Sequence, residues 1–532
     1  MNAFNRLLTS AAIGLAVSVS SFAPVVAETP ANMLVIAHRI DDVTTLDPAE
    51  SFEFAGADIS RNTYNRLVTL DPLDLAAGYQ PDLAESWEVS EDGKTITFTM
   101  REGVTFQSGN PVRAEDAAFS LQRAVILNKT PAFILTQFGF TPENVAETIK
   151  ADGNKLIITT DKKYATSFVL NCLTATIGGI VDKETVMANE VDGDMGNTWL
   201  KTNTAGSGPY KLDSWKPNES VTMTSYPEYF GGAPAMERVI VRHVLESASQ
   251  RLLLERGDID IARNLNPEDI AGATEADGVV IEDELKGRLM YIALNQKHEV
   301  LAKPEVRMAV KYLIDYEGMK NSFLNGQYTI HQNFLPATYL GASDENPFSL
   351  NIEKAKELLA SAGVEGLEIE VGVREAQERM EIAQSLQNTF AQAGITLNIT
   401  VGTAKQILAR FRARDLDVYL GAWGPDYPDP QTNAGTFAYN PDNSDEANAT
   451  GLLAWRTGWD AGGLTEKVEA AVTEGDREKR VQMYLDIQKE FREISPFAIM
   501  FQQIEQSALR DNVQNWSTGQ AVTAAAYWQV TK

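Results

Sequence analysis

The sequence predicts a mixed α/β fold, because strand and helix patterns alternate along its 532 residues. Period-two alternation of apolar residues indicates half-buried strands, as in Thr95–Met100. Residues 353–422 follow the order helix, strand, helix, strand, and the two helical patterns stop at Gly363 and Gly394. This order is typical of an α/β lobe with a partly parallel sheet.

The remaining elements follow from the same signals. Residues 91–94 are a predicted hairpin turn before the first clear strand. Other strands are predicted at 33–37, 155–159, 239–244, 289–294, 367–373, 395–401, 417–422 and 497–501. Helices are predicted at 111–125, 353–362, 377–393 and 464–494, the last of them broken near residues 475–476.

The N-terminus predicts a secretory signal peptide over residues 1–27, with one basic residue, Arg6, before a run of small and apolar residues. A retained membrane anchor is the alternative, because the run is long enough to span a bilayer. The mature chain would begin near Glu28. Cys172 is the only cysteine, so the sequence predicts neither a lipid attachment at the cleavage site nor an internal disulfide. Its apolar surroundings predict a core position.

Charge and composition narrow the classes of partner. Lys plus Arg is 46 and Asp plus Glu is 73, a net charge of −27. Such a surface repels nucleic acid and anionic lipid, and it suits cations or zwitterions. The hydrophobic fraction of 44% and charged fraction of 22% are those of a globular protein. The length predicts about three domain-sized units of roughly 150 residues each.

Catalytic signatures are absent from the sequence. It has neither a phosphate-binding G-x-x-x-x-G-K-[ST] loop nor a G-x-S-x-G nucleophile elbow. His298 and Glu299 begin like a zinc-protease motif, but Ala302 stands where the second histidine is needed. Asp426 and Asp429 resemble a hydrolase carboxylate pair only in residue type, because three residues on one loop do not set that geometry. We therefore expect no enzyme, metal or cofactor.

The segment Trp423–Pro430 is the strongest candidate site. It follows an apolar, strand-like run, and its three prolines and one glycine argue against helix or ladder pairing. It carries Trp423, Tyr427, Asp426 and Asp429 on a turn at a strand end. Aromatic and acidic side chains on such a loop suit a cationic, partly apolar solute. The alternative is a surface turn whose aromatic rings pack on the core.

Several motifs occur in order along the chain: TLDP at 45–48, YNRL at 64–67, PDLAESWEVS at 81–90, REGVTF at 101–106, GSGPY at 206–210 and IEKAKELLASAG at 352–363. On these motifs the mature chain resembles, over essentially its whole length, the large periplasmic solute-binding proteins of peptide-type ABC importers, the dipeptide and oligopeptide binding family. The sequence departs from that pattern at residues 326–336 and 442–453.

The resemblance implies a two-lobed periplasmic-binding-protein clamp of type II, in the large peptide-binding cluster. Residues 28–70, 202–285 and 496–532 would form the first lobe's core, residues 71–201 an inserted subdomain and residues 286–495 the second lobe. The hinge would lie near residues 285–290 and 495–501, where Gly287 either permits rotation or ends a turn.

The resemblance also implies site residues. Asp426, shortly after Trp423, would pair with the ligand's α-ammonium. Arg379 is the best positional match for an arginine that binds the ligand's carboxylate, and Arg374 is the alternative. Asp429 would cap the turn or support Asp426. Trp423 and Tyr427 would stack on the ligand or form the pocket wall. The alternative for both side chains is packing in the protein core.

The function so implied is that of a monomeric periplasmic receptor, not a lipoprotein, that captures a short peptide or peptide-like zwitterion. It would deliver the ligand to inner-membrane ABC permease subunits, without contacting nucleic acid or inserting stably into the membrane. The alternatives are the same fold with a non-peptide solute such as an oligosaccharide or opine, a secreted hydrolase, and a solute receptor that signals.

Overall fold

The computed structural model describes residues 28–71, 78–519 and 525–532; the predicted signal peptide lies outside them. Its strands are β1 Met33–His38, β2 Val68–Leu70, β3 Tyr79–Pro81, β4 Ala84–Val89, β5 Thr95–Met100, β6 Ile149–Asp152, β7 Lys155–Thr159, β8 Tyr210–Lys216, β9 Ser220–Ser225, β10 Arg238–His243, β11 Ile261–Ala262, β12 Val279–Leu294, β13 Tyr328–Ile330, β14 Glu368–Arg374, β15 Thr396–Gly402, β16 Val418–Trp423 and β17 Phe497–Arg510.

The helices of the same ranges are α1 Phe54–Thr63, α2 Ala114–Leu127, α3 Phe133–Thr136, α4 Val145–Thr148, α5 Thr166–Thr174, α6 Lys183–Ala188, α7 Asn197–Leu200, α8 Ser247–Glu255, α9 Pro267–Thr274, α10 Pro304–Tyr312, α11 Tyr316–Lys320, α12 Ile352–Ser361, α13 Gln377–Gln392, α14 Ala404–Arg412, α15 Pro430–Phe437, α16 Leu453–Arg456, α17 Gly463–Thr473 and α18 Arg477–Ile494. Within the described ranges, no helix combines the length and the hydropathy needed to cross a bilayer.

One sheet runs through both halves of the molecule in the order β15-β14-β16-β12-β17-β11-β1-β10-β9-β8, and β13 also pairs with β17. Its two central strands are long, with 16 residues in β12 and 14 in β17. They pair antiparallel from Val279 opposite Arg510 to Ala293 opposite Phe497. These two strands therefore join the half that contains β1 and β8–β11, the first lobe, to the half that contains β14–β16, the second lobe.

The β12–β17 ladder is interrupted where the strands pass between the lobes. Its register shifts between Leu285 and Leu289, so residues 286–288 form a bulge. Lys286 is buried there, and its Nζ donates a hydrogen bond to the Thr518 carbonyl at 2.8 Å. Gln502 donates its side-chain amide to the Lys286 carbonyl at 2.8 Å. The bulge coincides with the expected hinge, which stays a prediction.

The second lobe brings three strand ends to one edge. β14 runs parallel to β15 and to β16, and β12 pairs antiparallel with β16. β14 ends at Arg374, β15 at Gly402 and β16 at Trp423. Because these strands are parallel, their carboxyl ends lie at the same edge of the sheet, where α/β folds bind ligands.

The first lobe contains a second, four-stranded sheet in the order β4-β5-β7-β6. Its core includes Cys172, which is buried as the sequence predicts, and burial raises the pKa of that thiol. Tyr427 and Val472 of the second lobe pack into the same core. The lobes are therefore in direct contact, while the exact domain boundaries drawn from the sequence stay predictions.

Two local predictions about residues 423–430 need correction. Trp423 still pairs in the ladder, opposite Leu289, and Pro430 begins α15 instead of preventing a helix. Proline is compatible with the first helical position, because the backbone N–H that it lacks has no intrahelical acceptor there. The unpaired turn is therefore confined to residues 424–429.

Candidate functional site

The turn at residues 424–429 carries the chain from the end of β16 towards the first lobe. Gly424 lies against Phe54, since a Cβ at Gly424 would be 3.4 Å from the Phe54 ring. Asp429 caps α15 by accepting a hydrogen bond from the Gln431 N–H at 2.9 Å. The turn is thus held by a strand on one side and a capped helix on the other.

A cavity of about 160 Å³ lies where this turn meets the first lobe; we call it the Asp426 cavity. Its walls come from three first-lobe segments and from the turn. They comprise Ser51, Phe52, Glu53, Phe54, Ala57, Pro131, Ile134, Ala175, Thr176, Ile177, Gly424, Pro425 and Asp426. Both lobes therefore contribute to it, as expected of a cleft that closes on a solute.

Asp426 lines this cavity without a counter-charge. Its backbone N–H donates to Thr432 Oγ1 at 3.1 Å, but its carboxylate has no hydrogen bond or ion pair with any described residue. The side chain is half-buried by accessible area, yet the surrounding protein desolvates the carboxylate and raises its pKa to about 7. Ser51 also lines the cavity, but its Oγ is buried against Gly56 and has no hydrogen-bond partner among the described residues. The Asp426 carboxylate therefore suits a cationic donor.

Both carboxylate oxygens of Asp429 accept hydrogen bonds from protein groups. Its carboxylate is 0% exposed and forms an ion pair with Arg480, with N–O distances of 2.7 and 3.0 Å. It also accepts from Asn171 Nδ2 at 3.0 Å, and Arg480 donates to Ser167 Oγ at 3.1 Å. Asp429 therefore fixes the turn to α18 and to α5 of the first lobe.

The two aromatic residues of the segment lie in different surroundings. Tyr427 is 4% exposed, and its ring centroid is 5.9 Å from that of Phe168 in the first-lobe core. The structure thus places Tyr427 in the core and not on the cavity wall. Trp423 is half-buried, and its Nε1 donates to Asn433 Oδ1 at 3.2 Å. Its ring meets that of Phe437 in the second-lobe core edge-on, with the centroids 6.3 Å apart.

Three arginines gather at the carboxyl edge of the second-lobe sheet. Arg374 ends β14, Arg379 lies in the first turn of α13, and Arg288 is in the β12 bulge, next to the Leu289–Trp423 pair. Burial, with the charges of Arg288 and Arg374, lowers the pKa of Arg379. The positive charges are therefore close enough to repel one another.

These arginines are poorly satisfied within the protein. Arg379 is 4% exposed, yet its Nε has no hydrogen-bond partner. The nearest acidic atom to it is Glu378 Oε1, at 3.9 Å. Arg288 and Arg374 form no hydrogen bond or ion pair with the described residues. Sequence reasoning found Arg374 and Arg379 but missed Arg288, for which the only signal was the predicted hinge around Gly287.

Comparisons with known proteins agree with this architecture. The family described as bacterial extracellular solute-binding proteins, family 5 Middle, matches residues 78–445. A probable D,D-dipeptide-binding periplasmic protein of Escherichia coli K12 is 27% identical over 498 residues, covering 92% of each chain. Heme-binding protein A of Haemophilus influenzae is 26% identical over 397 residues, covering 70% of each.

A solved structure shows the same fold. The periplasmic binding protein DppA of Helicobacter pylori, in complex with the peptide STSA, superposes with a TM-score of 0.78 at 22% identity. The match covers 94% of this chain and 98% of that one. The two-lobed clamp expected from the sequence is thereby confirmed, and the chain belongs to the bacterial extracellular solute-binding proteins of family 5.

Proposed function

We propose that this protein captures a short peptide or peptide-like zwitterion between its lobes and delivers it to the permease of an ABC importer. The observation that carries the proposal is the Asp426 carboxylate, which lines a cavity between both lobes, is desolvated and has no partner among the described residues. A desolvated carboxylate without a partner is unfavourable in its charged form in the ligand-free protein. Binding of a ligand cation would remove that penalty.

Asp426 binds the ligand's α-ammonium in this proposal. An ammonium has three donors, and a charge-assisted hydrogen bond contributes about 1.5–3 kcal/mol. Asp429 does not contact the ligand; it holds the turn through Arg480 and Asn171.

The arginine cluster binds the ligand's carboxylate. Arg379 has an unpaired, buried Nε, and a guanidinium binds a carboxylate through two parallel N–H donors. Arg374 and Arg288 add positive charge at the same edge. Trp423, between this cluster and the Asp426 turn, forms part of the wall against which the ligand packs.

Capture needs no chemical step, only a preference of the closed lobes for the bound ligand. We propose that β12 and β17 provide the hinge, because the bulge at residues 286–288 interrupts their ladder and the register shifts again between Met290 and Tyr291. The protein would act in the periplasm as a monomer after loss of its signal peptide. The E. coli relative, named as a probable D,D-dipeptide-binding periplasmic protein, and the H. pylori structure with a bound peptide support this role.

A non-peptide solute is the second candidate. One relative is named for haem binding, so similarity at this level does not fix the ligand class. The two candidates differ in whether the ligand has a free amine to meet Asp426.

Native mass spectrometry of protein purified from its host tests the proposal, combined with thermal unfolding in the presence of a panel of dipeptides. Ligand binding raises the melting temperature by mass action. A retained ligand with a free amine and a carboxylate, and a melting temperature raised by dipeptides, support the proposal. A retained ligand without an amine, together with no response to any peptide, would contradict it.

A further inference from the structure

A second cavity, of about 200 Å³, lies within the first lobe; we call it the Arg61 cavity. Its walls come from the end of α1, from β2 and β3, from the loop before β10 and from residues 526–529. The described residues that line it all belong to the first lobe, and it shares none of them with the Asp426 cavity. A ligand bound there would therefore occupy a site separate from the interlobe cleft.

Two arginines of this cavity have no counter-ion among the described residues. Arg66 is 4% exposed, and its Nε donates to the Ala175 carbonyl at 3.0 Å. Arg61 is half-buried, and its Nη2 donates to the Leu70 carbonyl at 2.8 Å. Their other guanidinium N–H groups form no hydrogen bond or ion pair with a described residue. Burial, followed by the charge of Arg61, lowers the pKa of Arg66 to about 9, so the two guanidinium groups are close enough to repel each other.

The acids that line the cavity balance this charge only in part. Asp82 is 6% exposed, and its carboxylate accepts from Asn65 Nδ2 and from the backbone N–H of Arg66, both at 2.8 Å. Burial raises the pKa of Asp82 to about 6. Burial also lowers the pKa of Arg61 by more than the charges of Asp82 and Asp71 raise it. The two guanidinium groups therefore keep positive charge that a bound anion would neutralise.

Two aromatic rings stand beside the arginines. The rings of Tyr229 and Trp528 meet edge-on, with their centroids 5.8 Å apart. Their polar atoms are bonded to the protein, since the Tyr229 hydroxyl accepts from Asn65 Nδ2 at 3.2 Å and Trp528 Nε1 donates to the Gly232 carbonyl at 3.1 Å. Both residues line the cavity. Aromatic surface beside a guanidinium suits a ligand that has a flat apolar body and an acidic group.

We propose that the Arg61 cavity binds a small aromatic carboxylate, with the carboxylate on Arg61 and Arg66 and the ring beside Tyr229 and Trp528. A guanidinium binds a carboxylate through two parallel N–H donors. The net charge of −27 repels anions from the protein as a whole, so binding depends on this local pair of cations. Because one lobe supplies the whole described lining, binding here is independent of peptide capture and needs no closure of the lobes.

Calorimetric titration with benzoate, benzamide, acetate and inorganic phosphate tests the inference. Benzamide has the ring without the charge, so benzoate is expected to bind at least about ten-fold more tightly. Acetate has the charge without the ring and is expected to bind at least about ten-fold more weakly than benzoate. Equal binding of benzoate and benzamide, or no binding of benzoate, would overturn the inference. Acetate or phosphate that binds as tightly as benzoate would overturn the aromatic class of the ligand.

Variants of the cavity walls locate the bound benzoate. Arg61→Gln removes one guanidinium, and Thr69→Glu places an acid on β2, where Thr69 is half-buried and lines the cavity. Each is expected to weaken benzoate binding at least about ten-fold. Arg256→Gln, at an exposed arginine that follows α8 in the same lobe, is the matched control and should leave benzoate binding unchanged. Wild-type affinity for benzoate in either Arg61→Gln or Thr69→Glu would overturn the inference.

The interlobe cleft is the rival site for benzoate, because its arginines also suit a carboxylate. Saturating Leu-Ala should leave benzoate binding unchanged, and so should Arg379→Gln. Benzoate binding that is lost in Arg379→Gln but retained in Arg61→Gln would place the anion in the cleft and overturn the inference. The comparison of these two variants needs no dipeptide, so failure of every dipeptide to bind would contradict the proposed function alone.

Discussion

The buried pair of Asp429 and Arg480 gives the sharpest prediction about how the turn is held. Asp429→Asn keeps the size of the side chain and its ability to cap α15, because asparagine is an equally good cap. It removes the charge that balances Arg480, whose side chain is 1% exposed. Burial alone would lower the pKa of Arg480, but Asp429 raises it above its usual value. The pair is therefore a strong electrostatic contact.

The magnitude follows from burial and hydrogen bonding. Asp429 accepts two hydrogen bonds from Arg480, at 2.7 and 3.0 Å, and one from Asn171 at 3.0 Å. Loss of one member of a fully buried pair typically costs about 3–5 kcal/mol. We expect Asp429→Asn and Arg480→Met each to lower the free energy of unfolding by about that amount. The double variant leaves no unpaired buried charge, so its loss should be at least about 2 kcal/mol smaller than the sum.

Urea unfolding followed by tryptophan fluorescence measures these free energies for the wild type, both single variants and the double variant. Glu219→Gln, which breaks the exposed Lys216–Glu219 pair, is the control and should have no measurable effect. Single variants that unfold like the wild type, or losses that simply add in the double variant, would refute the reasoning.

Two further predictions concern the ligand. The folded state raises the pKa of Asp426 from 3.8 to about 7. Between these two pH values the ligand-free folded protein keeps a proton that the unfolded chain has released, so the Asp426 carboxyl lowers the free energy of unfolding as pH rises from 3.8 to about 7. Dipeptide affinity measured by calorimetry should therefore rise from pH 5 to about pH 7. Arg379→Gln should weaken dipeptides with a free carboxylate by about ten-fold or more without lowering the free energy of unfolding, because this buried guanidinium has an unpaired Nε.

Each of these predictions has its own control. Asp426→Asn cannot titrate, so its affinity should not change across the same pH range; a wild-type profile that is flat from pH 5 to pH 7 would argue against the role of Asp426. Arg412→Gln removes an exposed arginine of the second lobe and should leave binding unchanged. If peptides with an amidated carboxyl end lost as much affinity to Arg379→Gln as free peptides, the carboxylate assignment would be wrong.

Local patterns predicted much of the fold. The alternation at Thr95–Met100 is confirmed residue for residue, since one face of this strand is buried and the other is not. The predicted break near residues 475–476 is confirmed, and Asp476 caps α18 through the Lys479 N–H at 2.9 Å. The sequence predicted only residues 289–294 of β12 and missed residues 279–288. That first part contains the charged residues 282–284, which resemble a turn.

The site was harder to predict, because its members meet only in three dimensions. Asp426 could be predicted because the prolines, aromatic residues and acids of residues 423–430 are neighbours in the sequence. Nothing near Asp429 in the sequence indicates that Arg480 neutralises it, and nothing near Phe54 indicates that it faces Gly424. Arg288 joins Arg379 only through the bulge in β12. Such pairings depend on sheet register and lobe contact, which local patterns do not encode.

The central claim is that Asp426 binds a ligand ammonium, and calorimetric titration of Leu-Ala against N-acetyl-Leu-Ala tests it most directly. The wild type should bind Leu-Ala at least about ten-fold more tightly than the acetylated peptide. Asp426→Asn should lose that difference, because the acetylated amine carries no charge to pair. Equal binding of both peptides by the wild type, or a preference for the free amine that survives in Asp426→Asn, would contradict the claim.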